Sequence, residues 1–238
     1  MSNRLPNEWL GLKGECRFQE LCAEAMLAAN KSGNDVMGWD FIVEVPDSPS
    51  ETGLLLDQRR AGPTCRIQVK TVWKSDEIRA EMTLSAAERL AKPAEPAFVC
   101  ILVVAEDLAV VEASLVHIAG DNLARILKRL RQAEAGLKPN PLNKQKVTFT
   151  TLDGERFTPT GENLRNALLS ACGSDSKLYR DRKEEELEKL GYELGRYQLK
   201  VELQVGSTDE IVEMALGLRP VTVLSALTTT SASKYPSQ

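Results

Sequence analysis

The apolar positions along this chain change period several times, and each change predicts an element. "EWLGLKGECRFQELCAEAMLAAN" (residues 8 to 30) is rich in Ala, Leu, Glu and Met and is stopped by "KSGND", which predicts a long helix. "DFIVEV" then reads as a strand and "PDSPSETG" as a loop. In "CRIQVKT" (residues 65 to 71), polar Arg66, Gln68 and Lys70 alternate with β-branched Ile67 and Val69. That alternation reads as a half-buried strand, antiparallel to the first across a long connection. "IRAEMTL" predicts a third strand, and "SAAERLAK" a short helix ended by "PAEP". "AFVCILVVA" is apolar without a break, as in a central strand buried on both faces. A strand, "ASLVHIA", and an amphipathic helix, "GDNLARILKRLRQAEAG", complete an α/β unit over residues 1 to 136, a mixed sheet flanked by helices.

"LKPNPLNKQ" reads as a connector. Beyond it the pattern predicts a strand ("KVTFTTL"), two helices ("TGENLRNALLSAC", "YRDRKEEELEKLG"), a strand ("RYQLKVELQV"), a short helix ("STDEIVEMALGL") and a strand ("PVTVLSAL"). These make an α+β C-terminal region over residues 143 to 227, suited to association or regulation, or else a simple extension of the core that caps its exposed edges. "RDRKEEELEK" reads as a solvated helix face with i,i+4 pairs. The polar tail over residues 228 to 238 reads as disordered.

Composition narrows the chemistry. Of 238 residues, 42% are hydrophobic and 27% charged, an ordinary globular balance. No apolar run approaches the roughly 18 residues that span a bilayer, and the opening segment lacks the apolar stretch of a secretion signal, so a cytoplasmic protein with no membrane partner is expected. A net charge of −4 argues against a chain that coats nucleic acid over its whole surface, so any such binding must use a local patch. The five cysteines (Cys16, Cys22, Cys65, Cys100, Cys172) form no C-x-x-C pair, and His117 is the only histidine. This argues against a Cys/His zinc site, against disulfides in the cytoplasm and against a histidine-activated nucleophile. His117 itself reads as a structural histidine on a strand. Acid–base and metal chemistry then falls to carboxylates, amides and lysines.

Asp40 stands at the mouth of a strand whose apolar content should bury it, a costly place for a carboxylate without a cation. Glu15 lies on or beside the helical stripe of Leu12, Phe18, Cys22 and Ala25, although the helix dipole also favours a glutamate near an N-terminus. Together Glu15 and Asp40 supply anionic oxygens and the Gln68 amide a neutral one. Mg²⁺ or Mn²⁺ takes such donors and keeps several waters. Lys70, on the same side of its strand as Gln68, can orient an attacking water or a phosphate oxygen. A solvated face would explain the Q-x-K pattern by itself; Glu15 and Asp40 beside it argue for a site.

In their order, "GE" in the first helix, Asp40 at a strand start and Q-x-K on the next strand resemble the PD-(D/E)XK nuclease superfamily, and within it the Mrr-type branch in which glutamine replaces an acid. "GWDFIVEV" and "RIQVKT" are also similar to the endonuclease domains of anti-phage effectors of CBASS and Lamassu type. The resemblance covers roughly residues 8 to 120. It implies a restriction-endonuclease-like fold, with a four-stranded mixed sheet flanked by helices. It also implies catalysis by Glu15, Asp40, Gln68 and Lys70, with Mg²⁺ (or Mn²⁺) held by the first three. The implied activity is endonucleolytic cleavage of double-stranded DNA in prokaryotic defence against phage or plasmids. A catalytically silent nuclease fold serving as a DNA-binding or assembly subunit is one alternative, and an RNA nuclease is another. The chain departs from the pattern in the 28 positions between Asp40 and Gln68, and in the glutamine, which removes a negative charge from the metal site.

Magnitudes favour a metal. Phosphodiester hydrolysis needs about 20 kcal/mol of barrier lowering, and general acid–base work by one lysine supplies about 3–5 kcal/mol. Arg59, Arg60, Arg66, Lys70, Lys74 and Arg79 are concentrated around the site and its insertion, and Arg59, Arg60, Lys74 and Arg79 are candidate DNA contacts. Arg125, Lys128, Arg129 and Gln132 share another helix side, more simply read as solvated surface. Cutting both strands calls for two sites, so a homo-oligomer or a regulatory or sensor partner is expected.

Overall fold

The unbroken apolar run at Ala97–Val104 is buried at every position and lies inside a six-stranded sheet in the computed structural model. Described are residues 4–33, 38–46, 62–135, 141–173, 175–192, 198–202 and 225–229. The chain divides into Met1–Gly191 and Tyr192–Gln238. In the first unit, α1 (Asn7–Glu24) precedes β1 (Ala28–Lys31), β2 (Phe41–Glu44), β3 (Thr64–Trp73) and β4 (Ala80–Thr83). There follow α2 (Leu84–Ala91), β5 (Ala97–Val104), β6 (Val110–His117), α3 (Gly120–Ala135), β7 (Lys146–Phe149), β8 (Glu155–Phe157), α4 (Gly161–Cys172) and α5 (Ser176–Lys189). In the second, β9 (Gln198–Glu202) pairs antiparallel with β10 (Ser225–Thr229).

The main sheet runs β1–β2–β3–β5–β6–β8. Its one parallel pair is β3 with β5, which the α2 crossover permits; the other pairs are antiparallel. Alternation on β5 feeds two cores. Phe98, Cys100 and Leu102 meet Phe18 and Leu21 of α1 and Leu164 and Leu168 of α4. Ala97, Val99 and Ile101 meet Leu84, Ala87 and Leu90 of α2 and Leu123 and Ile126 of α3. The expected α/β class, a mixed sheet flanked by helices, is the observed architecture.

Several boundaries differ from the sequence reading. The first helix ends at Glu24, not near residue 30. Met26 takes φ 55° and turns the chain, and Ala28–Lys31 becomes an edge strand paired to β2. Pairing there overrides the helix propensity of its alanines. β4 leaves the main sheet to pair with β7. β8 was not anticipated, because three residues carry no readable period.

The division at residue 136 does not survive. Leu164, Ala167, Leu168 and Cys172 of α4 share a core with α1, β8 extends the main sheet, and Val147 and Phe149 of β7 join the other core. Residues 143 to 191 therefore complete the α/β unit and do not open a separate α+β region. The helix expected over 207 to 218 lies outside the described residues. β10 takes in Thr228 and Thr229, the start of the tail expected to be disordered, and residues 230–238 lie outside the description. Nor is α5 solvated throughout: Tyr179 is buried, and Lys183, 1% exposed, donates its ammonium to the Ile118 carbonyl. Among the described residues no helix is long and apolar enough to cross a membrane.

Candidate active site

Close approach of α1 to β3 sets the first side chain. A Cβ on Gly14 would stand 1.8 Å from Thr71 Oγ1, so only glycine lets the helix lie this low on the strand. Glu15 follows directly and lines one cavity with Asp40. There β2 begins, and the Asp40 backbone is tied on both sides. Its N–H donates to the Ile67 carbonyl at 2.8 Å, and its carbonyl accepts from Ser32 N–H at 2.7 Å.

The Asp40 carboxylate is tied as well. Oδ2 accepts from Gln68 Nε2 at 2.6 Å and from Val69 N–H at 2.7 Å. Burial raises its pKa above the ordinary carboxylate value and the negative Glu15 adds to the rise, while the Val69 N–H, the Lys70 charge and the Gln68 amide oppose it. Partial burial is thus what chiefly disfavours the charged form.

Gln68 is 9% exposed, while Arg66 and Lys70 on the same face are half-buried, so the half-buried reading of β3 needs correction at Gln68 alone. Cys65, Ile67 and Val69 enter the α1/α4 core on the opposite face. Lys70 is half-buried, two residues on, near enough for its charge to act on Asp40. One detail departs from expectation: the amide nitrogen of Gln68, not its oxygen, faces Asp40. As a metal ligand Gln68 would have to turn its amide.

Beside these groups lies a cavity of about 350 Å³, walled by Glu8, Leu12, Glu15, Lys31, Trp39 and Asp40, among others. Sequence reasoning missed Lys31 and Trp39. Lys31 Nζ meets Glu15 Oε2 at 2.7 Å. It had been read as a helix stop, and only recognition of β1 would have pointed it into the site. Trp39 takes the Arg66 guanidinium over its ring at 4.3 Å, and Arg66 also reaches Glu95 at 3.4 Å.

The donor types suit a hard divalent cation: two carboxylates on one cavity, one of them partly desolvated, with a neutral amide beside it. Among the described residues no three Asp, Glu, His or Cys side chains gather as a metal cage, so Glu15, Asp40, the Gln68 amide and water would have to suffice.

The expected DNA contacts are less coherent. Arg59 and Arg60 lie outside the described residues. Arg79 is paired with Glu77, Arg66 is held by Glu95, and Lys74 is exposed. On α3, Arg125 bonds Asp153 at 3.1 Å and Asn122 at 3.0 Å, and Arg129 donates to the Lys146 carbonyl at 3.0 Å. Those two arginines hold the fold together.

His117 is likewise structural. Its Nε2 lies 2.7 Å from the Tyr179 hydroxyl, and its ring stacks on Phe98 at 4.7 Å. Burial, with the Lys183 and Arg182 charges, lowers its pKa to about 3 and keeps it neutral. The thiols of Cys65 and Cys172 touch at 3.4 Å inside the core. Comparison with family models, curated proteins and solved structures finds no match to this chain.

Proposed function

We propose that this chain is a metal-dependent endonuclease acting on double-stranded DNA, and that it serves as the effector nuclease of a prokaryotic anti-phage or anti-plasmid system. One observation carries the reading. Residues far apart in sequence, Glu15, Asp40, Gln68 and Lys70, converge from α1, the residue before β2 and the middle of β3, with Asp40 bonded directly to Gln68. A six-stranded mixed sheet with helices on both faces, larger than the four-stranded sheet that the resemblance implies, is compatible with this reading.

Mg²⁺ held by Glu15, Asp40 and a turned Gln68 amide would activate water and offset the charge that develops on the phosphate. Lys70 presents its ammonium to a phosphate oxygen or to the attacking water. The Val69 N–H bond to Asp40 Oδ2 holds that carboxylate in one orientation. Cleavage of both strands would pair two copies about a two-fold axis or recruit a regulatory partner.

The test is plasmid nicking by the purified chain in Mg²⁺ and in excess chelator, with an RNA digest in parallel. Nicking in Mg²⁺ only, lost in a folded Lys70→Ala variant, is the expected result. Equal cutting in chelator, or wild-type cutting by Lys70→Ala, would overturn the assignment. Cutting of RNA alone would transfer the site to the RNA-nuclease reading.

A further inference from the structure

The cavity beside Asp40 already holds a cation of its own. Lys31 ends β1, opposite Phe41, which puts it one residue from the partner of Asp40 in the ladder. Its ammonium meets Glu15 at 2.7 Å and is close enough to Asp40 to feel its charge. Among the described residues, the ionisable groups lining the cavity are three carboxylates (Glu8, Glu15, Asp40) and this ammonium. Where two carboxylates share a small space, nearby positive charge eases their repulsion; Lys31 supplies it at Glu15, and Lys70 acts on Asp40.

We propose that the Lys31 ammonium is the resident counter-ion of the cation site and is exchanged for the divalent ion when the site loads. The identity of that ion rests on the nuclease reading. The chemistry of lysine suits exchange. It is a point charge on a flexible four-carbon stem, whereas an arginine fork would hold a carboxylate by two bonds. The Lys31 side chain is 48% exposed and Glu15 26%, so the ammonium can swing into solvent without opening the core. Loading then swaps one charge for two at Glu15, and the lysine remains at the cavity wall.

Exchange has a signature that a merely structural ion pair lacks: removing the lysine must tighten metal binding. Mn²⁺ binding to the full chain is measured by titration calorimetry at low salt, for wild type, Lys31→Met, Lys31→Arg and Glu15→Gln. Lys31→Met should bind Mn²⁺ about tenfold more tightly, the scale of one exposed unit-charge repulsion a few ångströms away. Lys31→Arg should bind no more tightly than wild type, and Glu15→Gln should bind more weakly. Equal or weaker binding by Lys31→Met, with wild type still binding, overturns the exchange and leaves the nuclease reading standing. No Mn²⁺ binding by either protein overturns both.

Discussion

Asp40→Asn should make the protein more stable in chelator and less stable in Mg²⁺, and the reversal is the diagnostic. In the folded chain the carboxylate is half-buried beside Glu15, and its pKa is raised. Its ionisation therefore costs folding free energy at neutral pH. An asparagine keeps the shape: its Oδ1 can accept from the Val69 N–H, and the Gln68 amide can turn its oxygen to the new Nδ2. Relief of such a strained functional charge is worth about 0.5–2 kcal/mol, or a few degrees in Tm at about 2–4 °C per kcal/mol. The pH dependence has a fixed sign. The wild type carries the full penalty well above the raised pKa and sheds it as pH falls through that value. The advantage of the variant is therefore complete well above the raised pKa and gone below the ordinary carboxylate range. Mg²⁺ at 100 times its Kd would stabilise the wild type by about 2.7 kcal/mol, enough to reverse the order. The assay is thermal unfolding across pH 3–8, roughly the range where carboxylates and histidine titrate, in chelator and in Mg²⁺. An Asp40→Asn protein that is less stable than wild type in chelator would refute the strained-charge argument. Absence of any Mg²⁺ shift in the wild type would refute the metal.

Gln68→Glu places a second carboxylate against Asp40, so Tm in chelator should fall while Mn²⁺ affinity rises; Gln68→Ala should lose cleavage, and a fully active Ala variant would show that the amide is not used. Gly14→Ala pushes a methyl into Thr71 and should cost about 1–3 kcal/mol by overpacking, read from urea unfolding. Thr71→Ala should restore most of it, and failure to do so would show that the α1–β3 approach is not the constraint. A chain ending near residue 136 strips Leu164, Leu168, Val147 and Phe149 from the two cores, at about 1.5–3 kcal/mol each against a total margin of about 5–15 kcal/mol. It should not fold cooperatively, whereas a chain ending at Gly191 should; circular dichroism melts of the two decide it.

The α/β class was legible because β5 and the amphipathic helices carry strong, long patterns. β1 and β8 were not, since three or four residues hold less than a full signal and owe their strands to the partners beside them. The C-terminal boundary was misplaced for a related reason: two prolines and two asparagines mark a connector, but composition cannot say whether the next helix packs back onto the first. Of the site, the acids and the Q-x-K pair could be read from burial logic. Lys31 could not, because its role depends on a turn at Met26 that made a strand of what looked like helix.

The clamp of α4 over α1 also sets a schedule. Arg17 reaches the Pro159 carbonyl at 3.0 Å, Gly161 N–H donates to Glu24 at 3.0 Å, and Arg165 reaches the Ala25 carbonyl at 3.2 Å. The helix that carries Glu15 is made first but fixed by residues made about 140 positions later. At a synthesis rate of about 5–20 residues per second, the two events are separated by roughly 7–28 s. Throughout that interval a nascent chain has its acids and its lysines but no lasting arrangement of them. If the site cuts DNA, the host is spared an active fragment on every ribosome, and premature termination anywhere before α4 yields a harmless product.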